Sequence, residues 1–184
     1  MESPCDELIW KTLKEGDLNA FSKLFKLYYE KLYNYGLKIS KGNVPLTEDS
    51  LQDFFLYIYD HRENLSDLDN IAPYLFTSYR RFIIKVLSKK SKVISTNVHE
   101  LNIVDVKFNP EEFIIKQESE TFKNKNILKL LNNLPKRQKE AIYLKYYCEL
   151  KTSEIAVIMD VNYQSAVNTI HKAIKNLREV VYLT

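Results

Sequence analysis

Apolar residues recur every three to four positions along almost the whole chain, the spacing of helices buried on one side, so strands are disfavoured and an all-α fold is expected. Residues 8–13 form a first short helix, ended by Gly16, with Asp17 placed to cap the next. That second helix carries Phe21, Leu24, Phe25, Tyr28, Leu32, Tyr35 and Ile39 on one stripe of about six turns, until Gly42 and Pro45 stop it. A third is predicted to start after Thr47, with Glu48 and Asp49 favourably placed against its dipole. It buries Leu51, Phe54, Phe55 and Ile58 and leaves Gln52 and Asp53 outward. A loop over 60–70, rich in Asp and Asn, leads to a fourth helix with Pro73 near its start and Leu75, Phe76, Tyr79, Phe82, Ile83 and Val86 as its apolar side.

The periodicity changes scale in residues 152–179. Ile155 and Met159 lie one turn apart, and Ala166, Ile170, Ala173 and Leu177 recur at helical intervals after a break at Asp160-Val161-Asn162. Two short helices around a tight turn are expected, with Val161 buried between them and Asp and Asn tolerating left-handed backbone angles where glycine is more usual. This is the layout of a helix-turn-helix, whose second helix enters the major groove of DNA. Left outward on that helix are Tyr163, Gln164, Ser165, Val167, Asn168, His171, Lys172 and Lys175, a mixture able to touch base edges and phosphates. The bland alternative is an αα-hairpin with a solvated basic face, and helix pattern alone leaves both open.

Composition changes the picture less than charge distribution does. The chain has 184 residues, 45% apolar and 12% aromatic, enough for one large or two small cores. A net charge of +3 does not by itself announce a nucleic-acid partner. Residues 71–99 contain no acidic side chain but hold Arg80, Arg81, Lys85, Lys89, Lys90 and Lys92, whereas 100–123 is mostly acidic, with Glu100, Asp105, Glu111, Glu112, Glu118 and Glu120. Two basic modules joined by an acidic connector fit two nucleic-acid contacts. On the fourth helix the cations accompany Tyr74 and Tyr79, taken as exposed, a pairing that suits unpaired DNA because phosphates take the charge and bases stack on rings. For any one tyrosine, a rim position on the helical bundle is the competing reading.

Cys5 and Cys148 have neither zinc-site spacing nor disulfide density, and His61, His99 and His171 are scattered, so no metal, cofactor or catalytic group is expected. No signal sequence is visible, and no apolar run approaches the ~20 residues of a membrane span, so the expected location is the cytoplasm, without direct membrane insertion.

In the string LNNLPKRQKEAIYLKYYCELKTSEIA, Leu134-Pro135, Arg137-Gln138, Leu144-Lys145-Tyr146 and Glu154-Ile155-Ala156 stand in a recognisable order, followed by His171, Lys172-Ala173 and Leu177-Arg178-Glu179. Upstream, Asp49-Ser50-Leu51-Gln52-Asp53-Phe54-Phe55 reads D-x-x-Q-[DE]-x-F. With these motifs the chain resembles the extracytoplasmic-function sigma factors of the bacterial sigma-70 family over nearly its whole length. The resemblance implies two small helical domains: 1–92 for core polymerase and the −10 element, and 126–184 for the −35 element. A flexible linker, 93–125, would thread the polymerase's active-site and RNA-exit region as an acidic strand. It also implies that Asp49, Gln52 and Asp53 dock on the β′ coiled coil with Phe55 packed behind them. The β flap is the second polymerase contact.

The resemblance further assigns Tyr74, Tyr79, Arg80, Arg81, Lys85, Lys89 and Lys90, with the 60–70 loop, to single-stranded −10 DNA, and the outward face of the last helix to −35 duplex. Members of the family are commonly held inactive by an anti-sigma protein. The match departs at Tyr74, where Trp is common, at Arg81, where Asn is expected, at Val167 and Thr169 in the −35 helix, and at Asp160 in place of the turn glycine. Lys151 stands where a capping Ser is usual, which moves the expected cap to Thr152. In the linker, Phe113, Ile114 and Ile115 are the residues able to dock. Two rivals remain: a stand-alone helix-turn-helix regulator with a dimerising or sensing bundle, and a structural helical adaptor.

Overall fold

The computed structural model describes residues 4–68, 70–90, 104–108 and 121–181, with side chains for all of these except 4, 5, 90, 121–126 and 179–181. Among them are eight α-helices, one 3-10 turn and no strand. The chain divides into two compact units, Met1–Val98 and His99–Thr184.

In the first unit, α1 (Pro4–Lys14), α2 (Leu18–Ile39), α3 (Val44–Asp60) and α4 (Ile71–Lys90) pack on one another, and a 3-10 turn (Arg62–Asn64) rests on α1. Asp17 caps α2 as its sequence predicts, its Oδ1 accepting from the Asn19 N–H at 2.8 Å. Gly42, at φ 84, closes the helix by donating its N–H to the Leu37 carbonyl at 2.8 Å, a left-handed end that glycine adopts without strain.

The start of α3 departs from expectation. Asn43 caps it, accepting from the Leu46 N–H at 3.2 Å, and Pro45 lies in the first turn, where its missing N–H costs nothing. Pro45 is therefore part of the helix and not the barrier before it. Thr47 is buried, its hydroxyl 2.8 Å from both the Asn43 carbonyl and the Ser40 hydroxyl. Glu48 and Asp49 consequently fall beyond the first turn, where the terminal dipole is weak.

Three helices meet at Gly36. A Cβ there would stand 2.3 Å from the Tyr79 phenol oxygen on α4 and 2.8 Å from Cγ2 of Thr47 on α3, so only glycine lets α2 approach this closely. Gly36→Ala gains about 1 kcal/mol of helix propensity. It must nevertheless push two buried groups apart, and net destabilisation of about 1–3 kcal/mol is expected from overpacking. Chemical unfolding of the full chain measures it, and a more stable variant would show that the α2–α4 crossing is looser than described.

In the second unit, α5 (Thr121–Asn133), α6 (Lys136–Tyr146) and α7 (Thr152–Ile158) all pack on α8 (Tyr163–Val181). Leu131, Leu144, Ile155, Ile158, Met159, Ala166, Ile170 and Ala173 supply the core, with Leu177 half-buried at its edge. Cys148 is buried as a thiol.

One further piece belongs to this unit. Residues 104–108, within the stretch expected to be a linker, alternate inward and outward: Val104, Val106 and Phe108 are 4%, 0% and 2% exposed, while Lys107 faces out. Asn132 of α5 accepts from the Phe108 N–H at 2.9 Å and donates to its carbonyl at 3.0 Å. Asp105 pairs with Lys139 of α6 at 2.6 Å, and that cation holds the carboxyl below the usual carboxylate range. The Phe108 ring lies 5.6 Å from Tyr147 and 6.2 Å from Tyr143, which stack on each other at 5.2 Å. The segment is thus strapped to α5 and α6 by apolar burial, one ion pair and a two-way amide clasp. Phe113, Ile114 and Ile115 lie outside the described residues.

Candidate nucleic-acid interface

The turn between α7 and α8 is built from backbone geometry. Asp160 sits at φ 54, the left-handed value its residue type tolerates, and the Val161 N–H reaches back to the Ala156 carbonyl at 3.0 Å. Val161 itself is half-buried. Asn162 then accepts from the Ser165 N–H at 2.8 Å, which fixes the direction in which α8 departs. At the start of α7, Thr152 is the first helical residue and not the cap. The cap position belongs to Lys151, whose side chain has no acceptor. Helix initiation instead uses the reverse contact, with Glu154 accepting from the Lys151 N–H at 2.6 Å.

That geometry presents one face of α8. Gln164, Asn168, His171, Lys172 and Lys175 are all exposed, and they share a stripe opposite the buried Ala166, Ile170 and Ala173. Gln164 donates to the Asn168 Oδ1 at 3.3 Å, so the two amides lie side by side one turn apart. Tyr163 stands exposed at the start of the helix, whereas Ser165 and Val167 are half-buried at its flank. With Lys172 taken as a phosphate contact, a Lys172→Ala variant is expected to lose affinity for duplex DNA alike across sequences, with the slope of log K against log salt shallower by about one unit. Affinity measured at several salt concentrations on two or more sequences tests this, and an altered sequence preference would mark Lys172 as a base reader.

On α4, a helix turn of about 100° per residue settles which expected contacts share a face. Tyr74, Arg81, Lys85 and Lys89 fall on one stripe, with the three cations exposed and Tyr74 half-buried. Tyr79 and Arg80 do not. Tyr79, taken from sequence as an exposed ring, is 0% exposed, lying about 140° round the helix from Tyr74 against Phe54 and Gly36 on the core side. Burial pushes its phenol well above the ordinary tyrosine range. Arg80 is 5% exposed. Neither side chain is available to a nucleic acid in this structure; the apolar phase of Leu75, Phe76 and Ile83 carried the signal. The side chain of Lys90 lies outside the described residues.

The loop after α3 is held from two sides. Trp10 of α1, 2% exposed, donates its indole N–H to the Ser66 carbonyl at 2.9 Å and meets the Tyr74 ring edge-on at 5.4 Å. Lys14 pairs with Asp67, and Arg62 lies over the Tyr59 ring at 4.6 Å while donating to the Tyr59 carbonyl at 2.9 Å. Nothing in the apolar pattern of α1 distinguishes Trp10 from any core residue, so this contact was not legible from sequence.

The outward face of α3 is acidic with an apolar margin. Asp49, Gln52 and Asp53 are exposed, Leu56 follows on the same stripe and is also exposed, and Phe55 is buried behind them against Phe21 and Phe25 of α2. Among the described residues no cluster of His, Cys, Asp or Glu gathers as a metal site, and no helix is long and apolar enough to cross a membrane.

The family profile for sigma-70 region 4 matches residues 124–177, which spans most of α5 to α8. Over 178 residues, 92% of each chain, the sequence is 26% identical to the ECF RNA polymerase sigma factor SigW of Bacillus subtilis (strain 168). The solved structure of CnrH in complex with the cytosolic domain of CnrY shares the fold, with a TM-score of 0.63 at 14% identity, covering 98% of this chain and 99% of that one. Through a helix-turn-helix of region-4 type and a sigma-factor relative across nearly its full length, the chain is similar to the extracytoplasmic-function sigma factors of the sigma-70 family.

Proposed function

We propose that this chain is an alternative sigma factor that directs core RNA polymerase to a particular set of promoters and helps open the DNA there. In this reading the first unit binds core polymerase through Asp49, Gln52 and Asp53, carboxylates and an amide presented from a rigid helix beside exposed Leu56, an arrangement that orients a basic partner and speeds its association. Tyr74, Arg81, Lys85, Lys89 and the loop after α3 face single-stranded −10 DNA. There, stacking and phosphate contacts offset the cost of unpairing. The exposed stripe of α8 enters the major groove at −35, with Gln164 and Asn168 suited to adenine edges and the lysines to phosphate. Residues 126–184 act as the −35 module and 93–125 as the connector, part of which is strapped to that module.

Catalysis belongs to the polymerase, and the work is done in the cytoplasm. CnrH was solved with the cytosolic domain of CnrY bound, and a protein of that kind covering the DNA-binding surfaces is the regulator this reading expects.

The observation that carries the proposal is the coexistence of an acidic, exposed α3 face on one unit with a region-4 helix-turn-helix on the other. A stand-alone DNA-binding regulator has no need of the first. The test mixes the purified chain with core polymerase, then asks for salt-resistant co-elution and for transcription from a promoter library. Both are expected. Tight binding to a palindromic duplex without polymerase would support a stand-alone regulator instead, and neither activity would remove both readings.

A further inference from the structure

Among its described residues the loop between α3 and α4 has no regular backbone beyond its 3-10 turn, so its shape depends on a few tethers. One of those tethers comes from α1, a helix with no part in the contacts proposed above. The Trp10 indole is buried, its N–H held by the Ser66 carbonyl at 2.9 Å, and the edge of the same ring system meets the Tyr74 ring at 5.4 Å with 68° between the planes. One turn further along α1, Lys14 pairs with Asp67, the residue after Ser66. A single side chain thus holds both the loop and the half-buried ring on the exposed cationic stripe of α4.

We infer that Trp10 is a positioning residue for −10 recognition: from beneath the surface it sets where the loop and Tyr74 stand relative to each other, and so which base this surface accepts. This rests on the reading that α4 and the loop face single-stranded −10 DNA. At 2% exposure Trp10 cannot touch a base, and its influence on the surface passes through Ser66 and Tyr74. A site that selects among bases must be preorganised to a fraction of an ångström. Loss of the tether therefore weakens discrimination between bases more than it weakens general affinity.

The experiment uses reconstituted holoenzyme and promoters that differ only at −10 positions, with −35 element and spacer constant. Trp10→Phe keeps a ring against Tyr74 and removes the N–H. Lys14→Met removes the neighbouring ion pair without entering the core. For Trp10→Phe the ratio between the best and worst −10 variants is expected to shrink about fivefold, the value of one hydrogen bond, with a smaller change in the same direction for Lys14→Met. Preference among −35 variants and affinity for core polymerase are expected to stay as in the unaltered chain.

An equal loss at every promoter, with the ranking intact, would reduce Trp10 to a core residue and overturn the inference. Where Trp10→Phe does not fold, Lys14→Met decides alone, and an unchanged ranking overturns the idea. An unaltered holoenzyme that shows no −10 preference would instead refute the underlying assignment of this surface, a result distinct from failure of the positioning role.

Discussion

Asp53→Arg is expected to abolish salt-resistant co-elution with core polymerase while leaving the fold intact. Asp53 is exposed in the middle of α3, flanked on its stripe by Asp49 and Leu56. Substitution at such a position changes stability by about 0.5 kcal/mol or less. At the interface the consequence is far larger, because an attraction to a basic surface becomes a repulsion, and like charges brought together cost several kcal/mol. Since each 1.4 kcal/mol is a factor of ten, affinity should fall by about a hundredfold or more. Much of the fall should lie in the association rate and deepen at low salt, where screening is weakest. Surface-binding kinetics at two ionic strengths, together with thermal melting, measures all of this. An Asp53→Arg protein that binds polymerase normally would move the docking surface away from α3 and leave the acidic face as solvated decoration.

The second large effect concerns the strap. Phe108→Ala removes a ring that is 2% exposed between α5 and the stacked Tyr143–Tyr147 pair, where truncating a buried Phe ordinarily costs about 3–5 kcal/mol. The lower end is expected here, near 3 kcal/mol, because the segment can detach while the helices stay folded, which caps the loss at the strap's own docking free energy. Hydrogen exchange on the full chain reads it unit by unit: α5 and α6 should lose protection, and the Met1–Val98 unit should not. Weaker binding to −35 duplex should follow, since α6 packs on α8. Unchanged protection in α6 would show that the strap rests on the unit without supporting it.

Local signals carried a good part of this architecture. Asp17, Asp160 and the apolar phases of α2, α4 and α8 each act on their own few residues, so periodicity and backbone preference located the helices and the turn without knowledge of any neighbour. Even the misplaced start of α3 had a local signature in Asn43 and Pro45, misread because proline can either stop a helix or open one. The strap too left a trace: Val104-Asp105-Val106-Lys107-Phe108 alternates with a period of two, unlike anything else in a helical chain.

From sequence alone came the all-α character, the helix-turn-helix with its outward residues, and the acidic face of α3, because each follows from the angular order of side chains along one helix. Only the folded molecule could decide that Arg80 is buried, that Trp10 fastens a loop 56 residues away, and that residues 104–108 lie on α5 and α6. Those outcomes depend on which surfaces meet across long stretches of chain. Spacing along a single helix holds no record of its partners: burial is a property of the pair of surfaces, whereas periodicity belongs to one.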